Sequence, residues 1–287
     1  MTKEFFLPPK INEDQLYKDI RDHPKALDIK KQIHQFWKRY HFYAPNDFQK
    51  NAQIAFYQRW WEMYCGLGLN NLNLSIKTSK RDEGPDFCVA TKNTSNIWIE
   101  AVAPNPGITA DKVPKQKFNK VTEVPKDQFR LRLAQALQDK KDKFHKYHRQ
   151  SIVESSDICI IAISACALNQ YGSTMEFPAP AILSVAAGAG NLALSLNRDD
   201  DSFIELQTEI RKNSGGLVTT NAFSLPEFKI ISGILYSNVD PVNAPAKPEK
   251  TFQLFLNPNA NNNIEKHYFD RIEIWESSDN LTWNKKS

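Results

Sequence analysis

Apolar positions recur at helical spacing over the first quarter of the chain and then gather into short alternating or continuous runs. Residues 11 to about 45 read as helical, with aromatics set among basic residues in IHQFWKRYHFY. Asn46 is placed to cap a second helix, DFQKNAQIAFYQRWWEMYCGL, whose apolar stripe runs Ala52, Phe56, Trp60, Met63, Leu67. Gly66 and Gly68 then close it.

Three short segments follow, LNLSIKT (72–78), DFCVAT (86–91) and NIWIEAVA (96–103), separated by turn-rich pieces, and they predict a β-meander. A Lys- and Pro-rich loop (104–126) leads to a long helix, 127–149. SDICIIAISA (156–165) is uniformly apolar and β-branched, as a central strand covered on both faces requires. The alanine-rich 179–196 segment reads as a packed helix or helix-like turn. Further strands are predicted at 228–237, 251–258 and 270–277, parted by PVNAPAKPEK and NPNANNN, which are loops by composition. The order predicts an α/β fold with a mixed central sheet flanked by helices over residues 46–287. Residues 1–45 form an N-terminal helical extension.

Composition narrows the class of protein. Cys65, Cys88, Cys159 and Cys166 are scattered with no CxxC pair, which argues against a zinc knuckle or a disulfide scaffold and for reduced thiols in the cytoplasm. MTKEFFLPPK lacks the apolar stretch of a signal peptide, and the longest apolar runs, 158–168 and 181–190, are too short to span a bilayer. Net charge is only +4, yet Lys112 to Arg149 holds twelve basic and four acidic residues. Such a block points to phosphates, or else to a solvated helix face.

The chemistry centres on GPDFCVATKNTSNIWIEAVAP (84–104), where Asp86 follows a Gly-Pro turn and Glu100 interrupts an apolar strand. An unpaired carboxylate inside a strand is costly, so Glu100 either caps a solvated edge or is held for a purpose. An acid at the start of one strand and another within its neighbour bring their oxygens together, an arrangement that suits Mg²⁺ (or Mn²⁺), which takes one or two carboxylates plus water and phosphate.

These residues carry a resemblance. PD followed fourteen residues on by a Glu among apolar strand residues, with the basic helix, SGILYS and LNPNA downstream, resembles the PD-(D/E)xK, restriction-endonuclease-like nucleases over roughly residues 50–270. The resemblance implies a metal-dependent nuclease acting on DNA or RNA, with Asp86 and Glu100 as metal ligands and the carbonyl of Ala101 as a third. It implies Glu62, in RWWEMY before the sheet, as a further carboxylate of the site; the other reading of Glu62 is a salt bridge with Arg59 or Arg81. A homodimer is the assembly by which related folds cut two strands.

One departure stands out: the lysine expected two residues after Glu100 is Val102. Either the chain is a catalytically degenerate member that binds nucleic acid or a protein without cutting, or the cation comes from elsewhere, as the superfamily allows. The 127–149 helix offers Lys140, which falls near the middle of the stripe Phe129, Leu133, Ala136, Leu137, Phe144, Tyr147 at about 100° per residue. A lysine facing inward is paired, or else lies along the core rim with its amine in water. Arg132 at the stripe's edge is suited to clamping a phosphate, and Gln135, Arg130, Lys141 and Lys143 complete the predicted nucleic-acid set, the last two pointing away from the stripe. His145 with His148, the GAG at 188–190, and the aromatics of Trp60–Trp61 and WKRYHFY read as solvated, packed and core residues respectively.

Overall fold

A computed structural model describes residues 4–77, 84–91, 95–116, 120, 123–168, 176, 179–193, 203–278 and 283–286. The N-terminal segment is two helices, α1 (Gln15–Asp22) and α2 (Leu27–Tyr40), rather than one. Pro24 disfavours helix at His23, which is extended, and starts the 3₁₀ turn that leads into α2. The second predicted helix is likewise divided, into α3 (Phe48–Ala52) and α4 (Phe56–Asn71). Its N-cap is Asp47, with no side-chain cap bond, and not Asn46. At the break Gln53 donates to Pro8 O and Glu13 Oε1, both at 2.9 Å, tying this corner to the N-terminal segment.

Gly66 and Gly68 do not end α4; both lie inside it. A Cβ at Gly68 would stand 2.1 Å from the Phe252 ring, and one at Gly66 2.6 Å from the Tyr40 ring, so these glycines let aromatic rings lie against the helix backbone. Phe252 is buried and flanked by Trp61 and Tyr64, so its ring has little room to yield. Gly68→Ala is therefore expected to lower stability by roughly 2 kcal/mol, although alanine is the better helix former. Urea unfolding checks this; an unchanged midpoint at an unchanged slope would overturn the packing argument.

Seven strands form one mixed sheet in the order β1 (Phe87–Ala90), β2 (Asn96–Val102), β3 (Ile158–Ser164), β8 (Gly233–Ser237), β9 (Gln253–Leu256), β10 (Glu273–Glu276), β11 (Asn284–Lys286). The centre, β2–β3–β8, is parallel, and α5 (Lys126–Arg149) is the crossover between β2 and β3. Every residue of β3 is buried, as its apolar sequence predicts. LNLSIKT contributes only a bridge, Ile76 with Val89, and Thr78 lies outside the described residues. The 179–193 stretch is a single helical turn, α6 (Leu183–Ala186), and then β4 (Ala189–Ala193), which pairs with β5 (Phe203–Leu206). A separate hairpin, β6 (Glu209–Arg211) with β7 (Leu217–Thr219), packs near α5.

Alternation along the strands divides the core in two. Ile97, Ile99 and Ala101 face the aromatic layer of α1, α2 and α4, in which Tyr17, Phe36, Trp37, Tyr40, Trp60, Trp61 and Tyr64 are buried. Trp98 and Val102, with Cys159, Ile161 and Ile163, face α5 and α6. The aromatics of WKRYHFY and RWWEMY are thus largely core, not a stacking platform, though Phe42 is exposed.

Candidate active site

The site forms where β1 stops short of the end of β2. Pairing runs from Ala90 with Asn96 to Phe87 with Ile99, leaving the edge of β2 beyond Ile99 without a strand. Side chains take over there. Asp86 Oδ2 accepts from the Ala101 amide at 2.6 Å. From α4, Gln58 donates to Ala101 O at 3.2 Å and accepts from Ala103 N at 2.8 Å. The Gly-Pro turn delivers Asp86 to this place, with Gly84 at φ +123°, a conformation open to glycine.

Glu100 projects toward α5, on the Trp98–Val102 side of the sheet, and its side chain is 2 % exposed. Two ammonium groups meet on one of its oxygens: Lys140 Nζ at 2.7 Å and Lys143 Nζ at 2.8 Å from Oε1. Tyr147 donates to Oε2 at 3.5 Å. Lys140 is buried and Lys143 is half in solvent, 51 % exposed. The inward lysine read from the helical wheel therefore pairs with the strand carboxylate. Lys143 was expected to point away. Lying three residues on, it sits about 60° round the helix, and its flexible stem closes the gap. The wheel locates Cα directions and not the reach of a four-carbon chain.

Glu62 approaches from α4 and is buried. Arg59 Nη1 lies 2.5 Å from its Oε2, and Tyr40 donates to Oε1 at 3.2 Å. The salt bridge with Arg59 is thus the one formed, while Arg81 lies outside the described residues.

The three carboxylates sense one another. Asp86 is pushed up to about 8, first by the protein crowded around it, then by Glu100 and Glu62, with Lys140 opposing. Asp86 is itself exposed to solvent, in the notch left at the sheet edge where β1 stops short of the end of β2. Glu62 is raised by burial, Arg59 working against it and Glu100 adding to it. Burial pulls Lys143 down, but Glu100 outweighs it and the ammonium is strengthened. Tyr147 is pushed up to about 12 by burial and Glu100. Three acids here meet three cations, Arg59, Lys140 and Lys143, so the upward shifts of Asp86 and Glu62 come first from burial and not from a missing counter-ion.

Among the described residues Asp86 has no side-chain cation bonded to it, and Glu100 Oε2 has only the long Tyr147 contact. Among the described residues no group of three or more His, Cys, Asp and Glu is arranged to hold a metal. A divalent ion at this place would have to draw on Asp86 and Glu100 with water, the one or two carboxylates that Mg²⁺ takes. Glu62, expected as a third ligand, has each oxygen engaged by Arg59 or Tyr40.

The rest of the predicted phosphate set is dispersed. Arg130 is buried against Gln207 Oε1, with Asp127 at 3.7 Å, and Lys141 is buried beside Asp142 at 2.7 Å and over the Phe228 ring. Both have partners away from Glu100, a correction that follows from their facing the β4–β7 side of α5. Gln135 is exposed and bonds Asp139 at 2.7 Å. Arg132 holds Asn105 through its carbonyl (2.8 Å) and side chain (3.2 Å), securing the loop after β2. Sequence reasoning missed Gln58 and Tyr40, and it placed Lys143 in the phosphate set and not on Glu100; Gln58 carries no signal in one sequence, since its role exists only because β1 is short.

The fold is an α/β mixed sheet flanked by helices, and no helix among the described residues is long and apolar enough to cross a membrane. Comparison with protein-family models, curated proteins and solved structures finds no match for this chain.

Proposed function

We propose that this chain is a metal-dependent nuclease of restriction-endonuclease-like fold that hydrolyses phosphodiester bonds of DNA or RNA. The observation that carries the reading is the buried Lys140–Glu100 pair at 2.7 Å beside Asp86, an acid pair and a lysine gathered in an open notch. Asp86 and Glu100 would hold Mg²⁺ or Mn²⁺. Bound there, the ion would polarise the scissile phosphate and acidify an attacking water. Lys140, fixed by Glu100, directs N–H donors at the place where negative charge develops. It takes the part that Val102 cannot, from the helix instead of the strand. Glu62 sets the field of the notch through Asp86.

Val102, together with the double lysine cover on Glu100, favours a second reading, a nuclease-like binder of nucleic acid or of a protein that has lost the chemistry. Cleavage of single- and double-stranded DNA and RNA with Mg²⁺, Mn²⁺ or EDTA separates the two. Metal-dependent cutting that falls about a hundredfold or more in Lys140→Ala is expected, the range for loss of a positioned electrostatic or proton-transfer group. Cutting unaffected by Lys140→Ala would move the lysine's role elsewhere. Binding without cutting under every condition would establish the second reading.

A further inference from the structure

Between α5 and the β6–β7 hairpin lies a hollow of about 200 Å³ that the carboxylate site does not use. Its walls are apolar: Leu131 and Leu137 from α5, Val185 from α6, Val218 from β7, and Leu225 and Phe228 from the turns that follow. A packed interior closes such gaps, because atoms lining a void lose their contacts. Here the hairpin is held off the helix at both ends. At its base the buried Arg130 of α5 bonds Gln207. At its tip the Asn213 amide donates to Asp111 Oδ1 at 2.7 Å and its side chain to Ala110 O at 2.8 Å. These two props fix the roof, so the hollow is preformed.

The mouth shows what kind of occupant it suits. Gln135, Gln138, Thr219, Lys212 and Glu227 surround it, and the lysine and the glutamate balance in charge. Gln135 Nε2 is occupied by Asp139 at 2.7 Å and Gln138 Nε2 leans on Asp142 at 3.5 Å. The two amide oxygens and the Glu227 carboxylate are left as acceptors. An apolar hollow of about 150 Å³ takes up benzene, and drug-sized ligands fill about 300 Å³ or more, so there is room for one ring system and little else.

We propose that this hollow binds a single nucleobase with an exocyclic amino group (guanine, adenine or cytosine) and leaves the sugar and phosphate outside, at Lys212. Phe228 supplies the aromatic ring of the wall, a surface on which a base stacks. The acceptors at the mouth receive the amino group, and Lys212 meets the phosphate as a point charge. The basic block of residues 112–149, of which α5 is the greater part, draws a polyanion to this side. A partner's tryptophan would share the ring and the N–H but bring no anion for Lys212. The proposal goes beyond the nuclease reading and needs neither a metal ion nor cleavage.

The test is calorimetry in EDTA with the four ribonucleoside monophosphates, their nucleosides and N-acetyltryptophanamide. GMP, AMP and CMP are expected to bind, and UMP several-fold more weakly because it has no amino group. Ala134→Phe puts a ring into the hollow from α5. It should keep or raise Tm, as cavity filling does, and weaken every nucleotide by about tenfold or more. Lys212→Gln should weaken the monophosphates by roughly two- to fivefold, the scale of an exposed ion pair, and leave the nucleosides unchanged. Lying in the hairpin turn, it tests the site even if Ala134→Phe does not fold. The proposal is overturned if no nucleotide binds, if UMP binds as tightly as GMP, if tryptophanamide binds more tightly than every nucleoside, or if the folded variants bind like wild type. None of these touches the nuclease reading, which is decided by cleavage with Mg²⁺.

Discussion

Glu100→Gln is expected to abolish metal-dependent cleavage and to destabilise the protein at the same time. The two effects have one cause. Glu100 is nearly sealed from solvent and is the counter-ion of Lys140, itself buried. Glutamine preserves the shape and can still accept a hydrogen bond, but the ammonium is left without its charge partner. Breaking a buried pair on one side costs about 3 kcal/mol, which for a chain of this size lowers Tm by several degrees. Lys143 contributes little to that figure because it is half in solvent. In the proposed mechanism the substitution also removes half of the ion-binding pair and the anchor of the helix lysine, so activity should be undetectable. Comparing Glu100→Gln with the double variant Glu100→Gln, Lys140→Met checks the argument. The double variant should regain most of the lost stability, since no buried charge is left unpaired, and none of the activity. Equal stability of single and double variants would show that Lys140 finds another partner.

The second large effect is a dependence of stability on pH that sits in Asp86. Its carboxyl holds its proton up to about pH 8 in the folded chain, far above the usual carboxylate range. A group raised in this way favours the folded state while protonated. Its contribution is complete below about pH 4 and is lost as pH rises through about 8. Glu62, also raised, acts in the same direction. Without divalent ion the protein should therefore melt progressively lower between about pH 5 and 8.5. Asp86→Asn should flatten most of that slope and melt above wild type at the alkaline end. Mg²⁺ should also remove the slope in wild type, because a bound ion needs the carboxylate ionised; the thermal shift it produces should grow with pH. Asp86→Asn should show no such growth. Melting curves in EDTA and in Mg²⁺ across the window decide this, and a variant that keeps the wild-type slope would relocate the titration away from Asp86.

Legibility in the sequence followed periodicity. The central strand around Ile160, the long helix that became α5 and the inward lysine on it all rest on regular spacing, which a single chain displays openly. The breaks in the N-terminal helices were less legible. Pro24 was a visible stop, but the interruption after Ala52 depends on Gln53 binding Pro8 and Glu13, contacts made across 45 and 40 residues. Gly66 and Gly68 were misread because a glycine that ends a helix and one that admits a neighbouring ring look alike until the ring is placed. Asp86 and Glu100 drew attention as carboxylates in a turn and in an apolar strand, and through the resemblance those residues carry; their partners, the Ala101 amide and Lys140, come from the structure. Arg130 and Lys141 were not separable from Lys143 by charge, as only burial against Gln207 and Phe228 distinguishes them.

The way Gln58 and Asp86 finish the edge of β2 has a consequence for self-association. A strand with unpaired amides and carbonyls is a template on which another chain can build, and short edge neighbours such as β1 leave that template partly bare. Here the Ala101 amide, the Ala101 carbonyl and the Ala103 amide are already bonded to side chains. An incoming strand would have to displace a carboxylate and an amide from fixed positions to gain the same bonds. The groups that shape the notch also make that stretch of sheet a poor seed for aggregation, so variants that open it, such as Gln58→Ala, should raise the tendency to form β-rich aggregates while the protein is still mostly native.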